Sequence, residues 1–427
     1  MDISFIHHCF LQCSSVSIDT RNINPKSFFV ALKGAKIDAN SFAKVALEKG
    51  ASYVLIDNKE FYVDERTILV EDTLRSLQDL AKFHRNYLAI PIIAITGSNG
   101  KTTTKELFQV VLSQKFKTKA TIGNLNNHIG VPLTILSFTK ETEIGIVEMG
   151  ANHQKEISFL CGIAQPNFGY ITNFGKAHLE GFGGIEGVIK GKSEMYDFIF
   201  KHNQTIFVYL DDSIQAQKTL DFNRFTFSKA DLNANVYFEK VEANPFVCLF
   251  FDGLTIQSHL IGLYNASNIM AAIAVGNYFG IKNDMIKFGI ESYIPENNRS
   301  QLLQVKGNEI ILDAYNANPS SMQVALDNFI ELRKEGKAVI LGDMFELGEE
   351  SEKEHQFIVS KMKKQSDFNC YFIGKLFYAT RIENERLFFF ETFEDFSNYL
   401  QKNTFQNTFL LIKGSRGMAL ERTIEFL

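Results

Sequence analysis

The 427-residue sequence has no uninterrupted apolar run of the roughly 18 residues that a membrane-spanning helix needs. Its opening segment, MDISFIHHCF, lacks the basic start and the apolar centre of a secretion signal. There is also no excess of positive charge, because the net charge is −5 at pH 7. We therefore expect neither a membrane span nor a nucleic-acid partner.

Cysteine is scarce and tryptophan is absent. The five cysteines are scattered along the chain, at positions 9, 13, 161, 248 and 370. An odd number without regular spacing predicts reduced thiols in a cytosol rather than a disulfide framework. His7, His8, Cys9 and Cys13 have the side chains of metal ligands, but no second ligand pair follows them at the spacing of a zinc site. We expect a buried N-terminal strand and turn there instead.

The length of the chain suits about three domains of about 150 residues each. Alternating apolar strands and amphipathic helices divide it into three α/β units, which we place at 1–88, 89–297 and 298–427. In the central unit this alternation predicts a parallel sheet with helices on both faces, and a β-hairpin insertion near 236–260. The predicted strands are 27–34, 53–57, 92–96, 143–150, 168–173, 205–211, 309–315, 337–344, 370–374, 386–391 and 408–415, and the predicted helices include 42–51, 73–88 and 265–280.

The most informative segment is PIIAITGSNGKTTTKELFQVV, residues 91–111, in which an apolar strand runs into a polar turn and then a helix. The turn residues are Gly97, Ser98, Asn99, Gly100, Lys101, Thr102 and Thr103. Backbone N–H groups at a helix N-terminus attract an anion, and glycine lets a phosphate come close. Lys101 adds a positive charge for the phosphates, and the Thr102 hydroxyl can bind Mg²⁺. The spacing departs from the usual P-loop, because Ile95 occupies the position of the first glycine. A strand, a glycine turn, a Lys-Thr pair and a helix still follow one another, and this arrangement predicts a nucleotide-phosphate site.

Polar residues follow other strands of the central unit. Glu148 ends a strand of the same predicted sheet, where a carboxylate can hold Mg²⁺ directly or through water. Asn126 and Asn127, in GNLNNHIGVP, suggest a shaped loop that donates hydrogen bonds. His178 and Lys192 lie after the next strand, although a loop histidine and a helical lysine indicate little by themselves.

Eight segments together carry a resemblance to a known family. In chain order they are TGSNGKTTTKE, GNLNNHIGVP, EMGANHQKEI, NFGKAHLEGFGG, YNASN, DAYNANPSSM, GDMFELGEESEKEH and KGSRGMALE. In this order they resemble the Mur ligases, from about residue 17 to the C-terminus. YNANP and GDMFELGEESEKEH resemble the branch of the family that adds D-alanyl-D-alanine, and the Asp-Asn-Pro-Arg segment of the diaminopimelate-adding branch is absent.

The resemblance implies three domains and one reaction. The first domain would bind the UDP end of the substrate, the central one would be a P-loop-type ATPase domain, and the third would be Rossmann-like. ATP would phosphorylate the terminal carboxylate of a UDP-N-acetylmuramoyl-tripeptide, and the amine of D-alanyl-D-alanine would attack the acyl phosphate. The implied cofactors are ATP and Mg²⁺, and we expect a monomer in a bacterial cytoplasm.

The resemblance also implies the residues that hold metal. Thr102 and Glu148 match the ligands of a first Mg²⁺, and His178 matches a ligand of the second. Lys192 matches the family's carbamylated lysine, whose amine is capped by CO₂ so that it becomes a carboxylate-like group beside the second metal. Lys190 is the rival for that role, although Lys192 fits the spacing from GFGG better. Lys101, His178 and Lys192 are thus the candidate catalytic residues.

The remaining implied contacts are to the nucleotide and to the substrates. The nucleotide contacts correspond to Asn265, Asn268, Arg299 and Asp313. The substrate contacts correspond to Asp19, Thr20, Arg21, Asn126, Asn127, Tyr315, Asn316, Asn318, Lys413, Ser415 and Arg416. Arginine suits carboxylate recognition because its planar fork pairs with both oxygens.

Two other functions compete with the amide ligase. A folylpolyglutamate-synthase-like ligase would share the phosphate loop but should lack YNANP. A nucleotide-gated binding protein with a degenerate site is a different class, and the joint presence of Lys101, Thr102, Glu148, His178 and Lys192 argues against it.

Overall fold

Four β-sheets organise the residues that the structure describes, and helices pack on their faces. The structure is a computed structural model that describes residues 2–296 and 298–427. Residue 1, the start of the predicted first unit, and residue 297, the end of the predicted central unit, lie outside the described residues. Within those two ranges, no helix has both the length and the apolar composition that crossing a bilayer requires.

The first unit is a small parallel sheet with three helices. Its strands are β1 Ser15–Ser17, β2 Ser27–Val30, β3 Tyr53–Ile56 and β4 Thr67–Leu69, and its helices are α1 Ile3–Leu11, α2 Ala43–Glu48 and α3 Thr73–Leu88. The strands lie in sequence order. Helix α3 begins after Asp72, whose carboxylate accepts a hydrogen bond from the Arg75 N–H at 2.8 Å. Leu77, Leu80 and Ala81 recur at helical spacing on its buried face.

The central unit is built on a seven-stranded parallel sheet. Its strands are β5 Ile92–Thr96, β6 Thr118–Ala120, β7 Ile144–Glu148, β8 Phe168–Ile171, β9 Thr205–Tyr209, β10 Arg224–Ser228 and β11 Val236–Tyr237. They lie in the order β11-β10-β9-β8-β5-β7-β6. Along β5, Ile92 and Ala94 belong to one apolar core, while Ile93 and Ile95 belong to the other. Both faces of the sheet are therefore buried, as a parallel sheet requires.

Helices cover the two faces of this sheet. They are α4 Lys101–Leu112, α5 Gly130–Leu136, α6 Glu156–Ala164, α7 Leu179–Phe182, α8 Ile185–Lys201, α9 Ser213–Lys218, α10 Ala266–Tyr278 and α11 Asn283–Ser292. Helices α4, α10 and α11 bury side chains in the core that contains Ile93, and α5, α6 and α8 bury theirs in the core that contains Ile92. The predicted sheet with helices on both faces is confirmed.

A three-stranded antiparallel sheet is inserted before α10. It consists of β12 Lys240–Ala243, β13 Phe246–Phe251 and β14 Leu254–Ile261. The predicted hairpin is confirmed for 246–260. The segment 236–240 is divided instead, because Val236–Tyr237 pairs with β10 in the parallel sheet and Lys240 begins β12.

The C-terminal unit holds a six-stranded sheet. Its strands are β15 Gln301–Val305, β16 Asn308–Asp313, β17 Lys337–Gly342, β18 Asn369–Ile373, β19 Leu387–Phe390 and β20 Phe409–Lys413, and its helices are α12 Pro319–Glu331, α13 Ser351–Lys363, α14 Lys375–Ala379 and α15 Phe393–Leu400. The order is β15-β16-β20-β17-β18-β19, with only β15 antiparallel to its neighbour among these strands. This mostly parallel sheet, together with its helices, agrees with the predicted α/β class.

The predicted N-terminal strand is wrong. Residues Ile3–Leu11 form a helix, which Asp2 caps by accepting a hydrogen bond from the Ser4 N–H at 3.2 Å. The helix buries Ile6 and Phe10 against α3, which the short apolar pattern did not distinguish from a strand. The strands that the pattern missed, such as β1, β4, β6 and β15, lie at sheet edges and have three to five residues.

Candidate active site

A cavity of about 1040 Å³ lies between the carboxyl ends of the central sheet and those of the C-terminal sheet. Its central walls follow β5, β7 and β8, and its C-terminal walls follow β16, β17 and β20. Open α/β sheets bind ligands at this edge. Since small-molecule sites usually occupy roughly 300–1,000 Å³, the cavity has room for a nucleotide and a second substrate.

The polar turn after β5 forms one wall of the cavity. Gly97 and Gly100 have φ angles of 142° and 79°, in the region that favours glycine. A Cβ on Gly97 would collide with the Thr172 side chain, and a Cβ on Gly100 would lie 2.7 Å from Asn268 Oδ1. Helix α4 begins at Lys101, directly after the turn. The N–H groups of its first turn therefore lack intrahelical partners beside the cavity.

Asn173, which follows β8, holds this turn in shape. Its side chain accepts a hydrogen bond from the Asn99 N–H at 3.1 Å and donates one to the Asn99 carbonyl at 3.0 Å. Its backbone carbonyl accepts from the Ser98 N–H at 3.0 Å. The Ser98 hydroxyl donates to the Gly175 carbonyl at 2.7 Å. The turn is thus organised before any anion binds, which reduces the cost of reorganisation.

The carboxylate of Glu148 is fixed beside the turn. Thr102 Oγ1 donates to its Oε2 at 2.9 Å, and Asn126 Nδ2 donates to its Oε1 at 2.8 Å. The Glu148 N–H donates to Thr121 Oγ1 at 2.9 Å. The residue is buried, so these hydrogen bonds replace the water that the carboxylate has lost.

The Lys101 ammonium lies over its own turn. Its Nζ donates to the Gly97 carbonyl at 2.8 Å and to the Ser98 carbonyl at 3.3 Å. Burial lowers the pKa of Lys101, Glu148 raises it, and Arg299 lowers it further. An ammonium held only by two carbonyl oxygens can exchange them for the stronger, charged oxygens of a phosphate.

The C-terminal wall carries several cationic side chains. Lys413 Nζ donates to Asp313 Oδ2 at 2.6 Å, and Lys413 is almost fully buried. The Tyr315 ring lies 3.6 Å from the Arg299 guanidinium and 5.8 Å from that of Arg416. Arg299 Nε is buried and has no hydrogen-bond partner among the described residues. A buried donor without a partner is costly, so this wall suits an anionic ligand.

Three family models match the chain. They are the Mur ligase family catalytic domain at residues 12–85, the Mur ligase middle domain at 95–276, and the Mur ligase glutamate ligase domain at 298–416. The UDP-N-acetylmuramoyl-tripeptide–D-alanyl-D-alanine ligase of Bacillus subtilis (strain 168) is 33% identical, over 96% of this chain and 92% of that protein. The chain belongs to the Mur ligase family. The ligase of the same name from Escherichia coli (strain K12) is 31% identical, over 98% of this Mur ligase and 94% of that protein.

Solved structures have the same architecture. The crystal structure of MurF from Acinetobacter baumannii matches with a TM-score of 0.86 and 28% identity, over 99% of this chain and 97% of that one. The MurF ligase from Thermotoga maritima in complex with ADP matches with a TM-score of 0.83 and 27% identity, over 98% of this chain and 97% of that one. These matches extend across all three units of this Mur ligase.

The predicted nucleotide contacts come together around the phosphate turn. Asn265, Asn268, Arg299 and Asp313 all line the cavity, as do the turn residues 98–103. The two asparagines are buried, and they connect to the first residues of α4 through Asn268. Asn268 Nδ2 donates to Asn265 Oδ1 at 3.0 Å, and Asn268 Oδ1 accepts from the Thr104 hydroxyl at 3.1 Å.

His178 and Lys192 lie close to the turn on different elements. His178 lines the cavity at the start of α7, and its Nδ1 contacts Glu346. Lys192 is buried in α8, with its Nζ 5.3 Å from the Phe182 ring, whereas Lys190 is exposed. Burial, together with the charge of nearby Lys101, lowers the pKa of Lys192 well below its usual value. The environment therefore distinguishes Lys192 from its rival.

The predicted substrate residues of the C-terminal and central units also line the cavity. These are Asn126, Asn127, Tyr315, Asn316, Asn318, Lys413, Ser415 and Arg416. Several already have internal partners. Ser415 Oγ accepts from the Phe345 N–H at 3.0 Å, and Asn318 caps helix α12. Arg416 is largely exposed and donates to Glu421 at 2.8 Å.

The first-domain candidates lie elsewhere. Asp19 caps a short 3₁₀ helix, Thr20–Asn22, and pairs with the exposed Arg21 side chain at 2.6 Å. Asp19, Thr20 and Arg21 are not among the described residues that line the cavity. A substrate that reaches both places must extend from the cavity to the first unit.

The residues around Thr102 and Glu148 fit Mg²⁺. Both supply hard oxygen donors beside the phosphate turn. In the described part of the chain, no group of three or more histidine, cysteine or acidic residues could enclose a metal. Two protein oxygen donors would form only part of a coordination shell, which is usual for Mg²⁺ bound with nucleotide phosphates and water. The predicted second site fits only if Lys192 carries a carbamate, since an amine has no oxygen donor.

Among the site residues that were not predicted, two make contacts that shape the site. Asn173 follows a strand of the central sheet, so the sheet-edge rule could have identified it. Glu346 lies within GDMFELGEESEKEH, but its partner His178 is 168 residues away in the sequence. A contact over that separation leaves no local signal.

Proposed function

We propose that this Mur ligase joins D-alanyl-D-alanine to the terminal carboxylate of UDP-N-acetylmuramoyl-tripeptide, using ATP, in peptidoglycan precursor synthesis. The observation that carries the proposal is the meeting, in one cavity, of a phosphate turn, a fixed carboxylate and a cationic wall from another domain. The two similar ligases from B. subtilis and E. coli, which extend over nearly the whole chain, support the choice of substrates.

The chemistry accounts for this arrangement. A carboxylate becomes an acyl donor only after one of its oxygens is converted into a leaving group. Transfer of the γ-phosphoryl group to that oxygen gives an acyl phosphate and ADP. The amine of D-alanyl-D-alanine then attacks the carbonyl carbon, an amide bond forms, the C–O bond to phosphate breaks, and the amine loses a proton. The products are the pentapeptide precursor, ADP and phosphate.

The central unit would supply phosphate binding and charge stabilisation. The N–H groups of residues 100–103 would bind the phosphate oxygens, and Lys101 would stabilise the charge that develops on the transferred phosphoryl group. Asn265 and Asn268, together with Arg299 and Asp313 of the C-terminal unit, would hold the nucleotide. The hydrogen bonds of Asn173 to the turn and of Asn268 to Thr104 in α4 support these roles, because they order this segment before ATP binds.

We also propose which residues hold the metal ions. Thr102 and Glu148 would hold one Mg²⁺, and His178 together with a carbamate on Lys192 would hold a second. Bound Mg²⁺ would neutralise charge on the phosphates. The low pKa of Lys192 supports the carbamate, since only an uncharged amine reacts with CO₂.

The remaining assignments concern substrate and context. The first domain, 1–88, would bind the UDP end through Asp19, Thr20 and Arg21, while 89–297 would bind ATP and 298–427 would complete the site. Asn126, Asn127, Tyr315, Asn316, Asn318, Lys413, Ser415 and Arg416 would contact or position the peptide substrates. We place the enzyme in the bacterial cytoplasm as a monomer; the five cysteines are free thiols.

The test is a coupled phosphate-release assay with product identification by mass spectrometry. Phosphate release should require ATP, Mg²⁺, the UDP-tripeptide and D-alanyl-D-alanine together, and the pentapeptide should appear. Product formation from a folate and glutamate instead would support the folylpolyglutamate-synthase-like alternative. Phosphate release independent of both peptide substrates would contradict the ligase assignment and favour a nucleotide-gated binding protein.

A further inference from the structure

Glu346 connects the C-terminal domain to the start of helix α7. It lies between β17 and α13, and its backbone φ is 61°, in the left-handed region. Its carboxylate contacts His178 Nδ1. Its backbone carbonyl accepts a hydrogen bond from the Glu180 N–H at 3.4 Å. Glu346 thus contacts His178 and Glu180, the two neighbours of the first residue of α7.

The loop that carries Glu346 is anchored on its own domain. The Met344 N–H donates to His355 Nε2 at 3.0 Å, and the Phe345 N–H donates to Ser415 Oγ at 3.0 Å. Both acceptors are buried. The backbone that leads into Glu346 is therefore attached to the C-terminal domain.

The contact with Glu346 fixes which nitrogen of His178 carries a proton. An ionised carboxylate can only accept, so Nδ1 must donate, and Nε2 is left with its lone pair when the ring is neutral. His178 itself has a φ of 53° and a ring that is mostly buried. A carboxylate that orients a histidine in this way commonly makes the other nitrogen a better ligand.

We propose that Glu346 is a positioning residue for His178, delivered by the C-terminal domain and needed for the central domain to present His178 in the correct tautomer and orientation. The proposal rests on the proposed ligase function for its effect on turnover. It makes domain closure and the completion of the site a single event, because the orienting carboxylate and the oriented ring belong to different domains.

Other contacts between the same two domains do not involve His178. Lys176 Nζ lies 2.6 Å from Glu354 Oε1, and Asn318 Nδ2 donates to Asn99 Oδ1 at 2.7 Å. These contacts can hold the domains together but cannot set the tautomer of His178. Lys176→Ala is therefore the matched control for loss of an interdomain contact.

The test combines kinetics with nitrogen NMR of the full chain labelled with ¹⁵N-histidine. Among the signals of the nine histidines, that of His178 is the one that disappears in His178→Gln. Glu346→Ala should convert His178 from the Nδ1–H to the Nε2–H form and lower kcat by about 10- to 100-fold, with the ATP KM changed less than about 3-fold. Glu346→Gln, whose amide oxygen still accepts, should restore the Nδ1–H form. Lys176→Ala and the exposed Glu349→Ala should leave the His178 signal unchanged.

Two results would overturn the proposal. One is a His178 signal that is the same in the unaltered chain and in Glu346→Ala. The other is an equal loss of kcat in Lys176→Ala, because Glu346 would then act only by holding the domains together. A failure of the ligase function would look different, since the unaltered chain would then form no pentapeptide whatever the NMR signal shows.

Discussion

The two walls of the cavity use their polar groups differently. In the central wall, the phosphate turn and Glu148 are held by residues of their own domain: Thr102 and Asn126 fix the Glu148 carboxylate, and Asn173 fixes the turn. The C-terminal wall instead pairs its charges with one another, as in Asp313–Lys413, and reaches the central domain through a few polar contacts.

This difference suggests that the central wall binds phosphate and that the C-terminal wall completes the site. A wall that is organised in advance binds phosphate at little cost in reorganisation. The C-terminal wall contacts the central domain through isolated ion pairs and amide hydrogen bonds, and each of them contributes little free energy. The position of this wall should therefore respond to ligands. We therefore expect changes in the central wall to remove chemistry, and changes in the C-terminal contacts to alter closure.

The largest effect should come from the phosphate turn. Lys101→Ala should lower kcat by at least ~10²-fold, because the charge that stabilises the transferred phosphoryl group is lost. Steady-state phosphate release measures it, with Lys115→Ala, an exposed lysine just beyond α4, as the control. Near-normal turnover in Lys101→Ala would remove Lys101 from the mechanism.

Lys192→Ala should also be inactive, but an added carboxylic acid should restore part of the activity. If Lys192 acts as a carbamate, a short carboxylic acid such as acetate or formate should enter the space and restore part of the activity. The neighbouring Lys190→Ala should behave like the unaltered enzyme, since Lys190 is exposed. A folded Lys192→Ala protein that no acid rescues would argue against the carbamate.

Within the C-terminal wall, Lys413→Met should reduce stability more than it changes ATP binding. Removing one partner leaves the Asp313 carboxylate partly buried without its cation, which should cost about 3 kcal/mol of unfolding free energy. Urea unfolding measures this loss, and the double variant Asp313→Asn, Lys413→Met should recover part of it. An unchanged midpoint would mean that the pair contributes nothing to the wall.

A smaller effect should arise away from both walls, between α1 and α3. His84 Nε2 donates to the Phe138 carbonyl at 3.0 Å, so its Nδ1 accepts from His7 Nε2 at 3.0 Å, and both rings are neutral. Burial, together with repulsion that a protonated His84 would exert, lowers the pKa of His7 to about 4. The unfolded chain, with a histidine pKa near ~6.5, then binds more protons below that pH, so stability is complete above about 6.5 and falls as the pH approaches 4.

Thermal unfolding at pH 7 and pH 5 measures this dependence. The pKa shift of His7 alone should lower the unfolding free energy by about 2 kcal/mol over that interval. His7→Phe should flatten the pH dependence, and ATP affinity at pH 7 should not change because both residues lie outside the cavity. An equally steep pH profile in His7→Phe would assign the dependence to other groups.

The sequence predicted the parts of the site that are local. The phosphate turn is one contiguous segment, and Glu148 sits at the end of an apolar strand, so spacing and sheet geometry were enough to identify them. Helix α1 and the short edge strands were missed because three to nine residues carry too little periodicity. Glu346 was missed for another reason: its function depends on a contact between domains that only the assembled fold creates.

The most direct test of the difference between the walls is a triple variant, Asn318→Ala, Lys176→Ala and Glu346→Ala, which removes three side-chain contacts between the domains. Calorimetric ATP binding and turnover would be measured on the same protein. We expect the Kd for ATP with Mg²⁺ to rise less than about 10-fold while kcat falls by at least about 100-fold. A loss of ATP affinity as large as the loss of kcat would contradict the view that the central wall supplies most of the ATP affinity and the C-terminal domain completes the site.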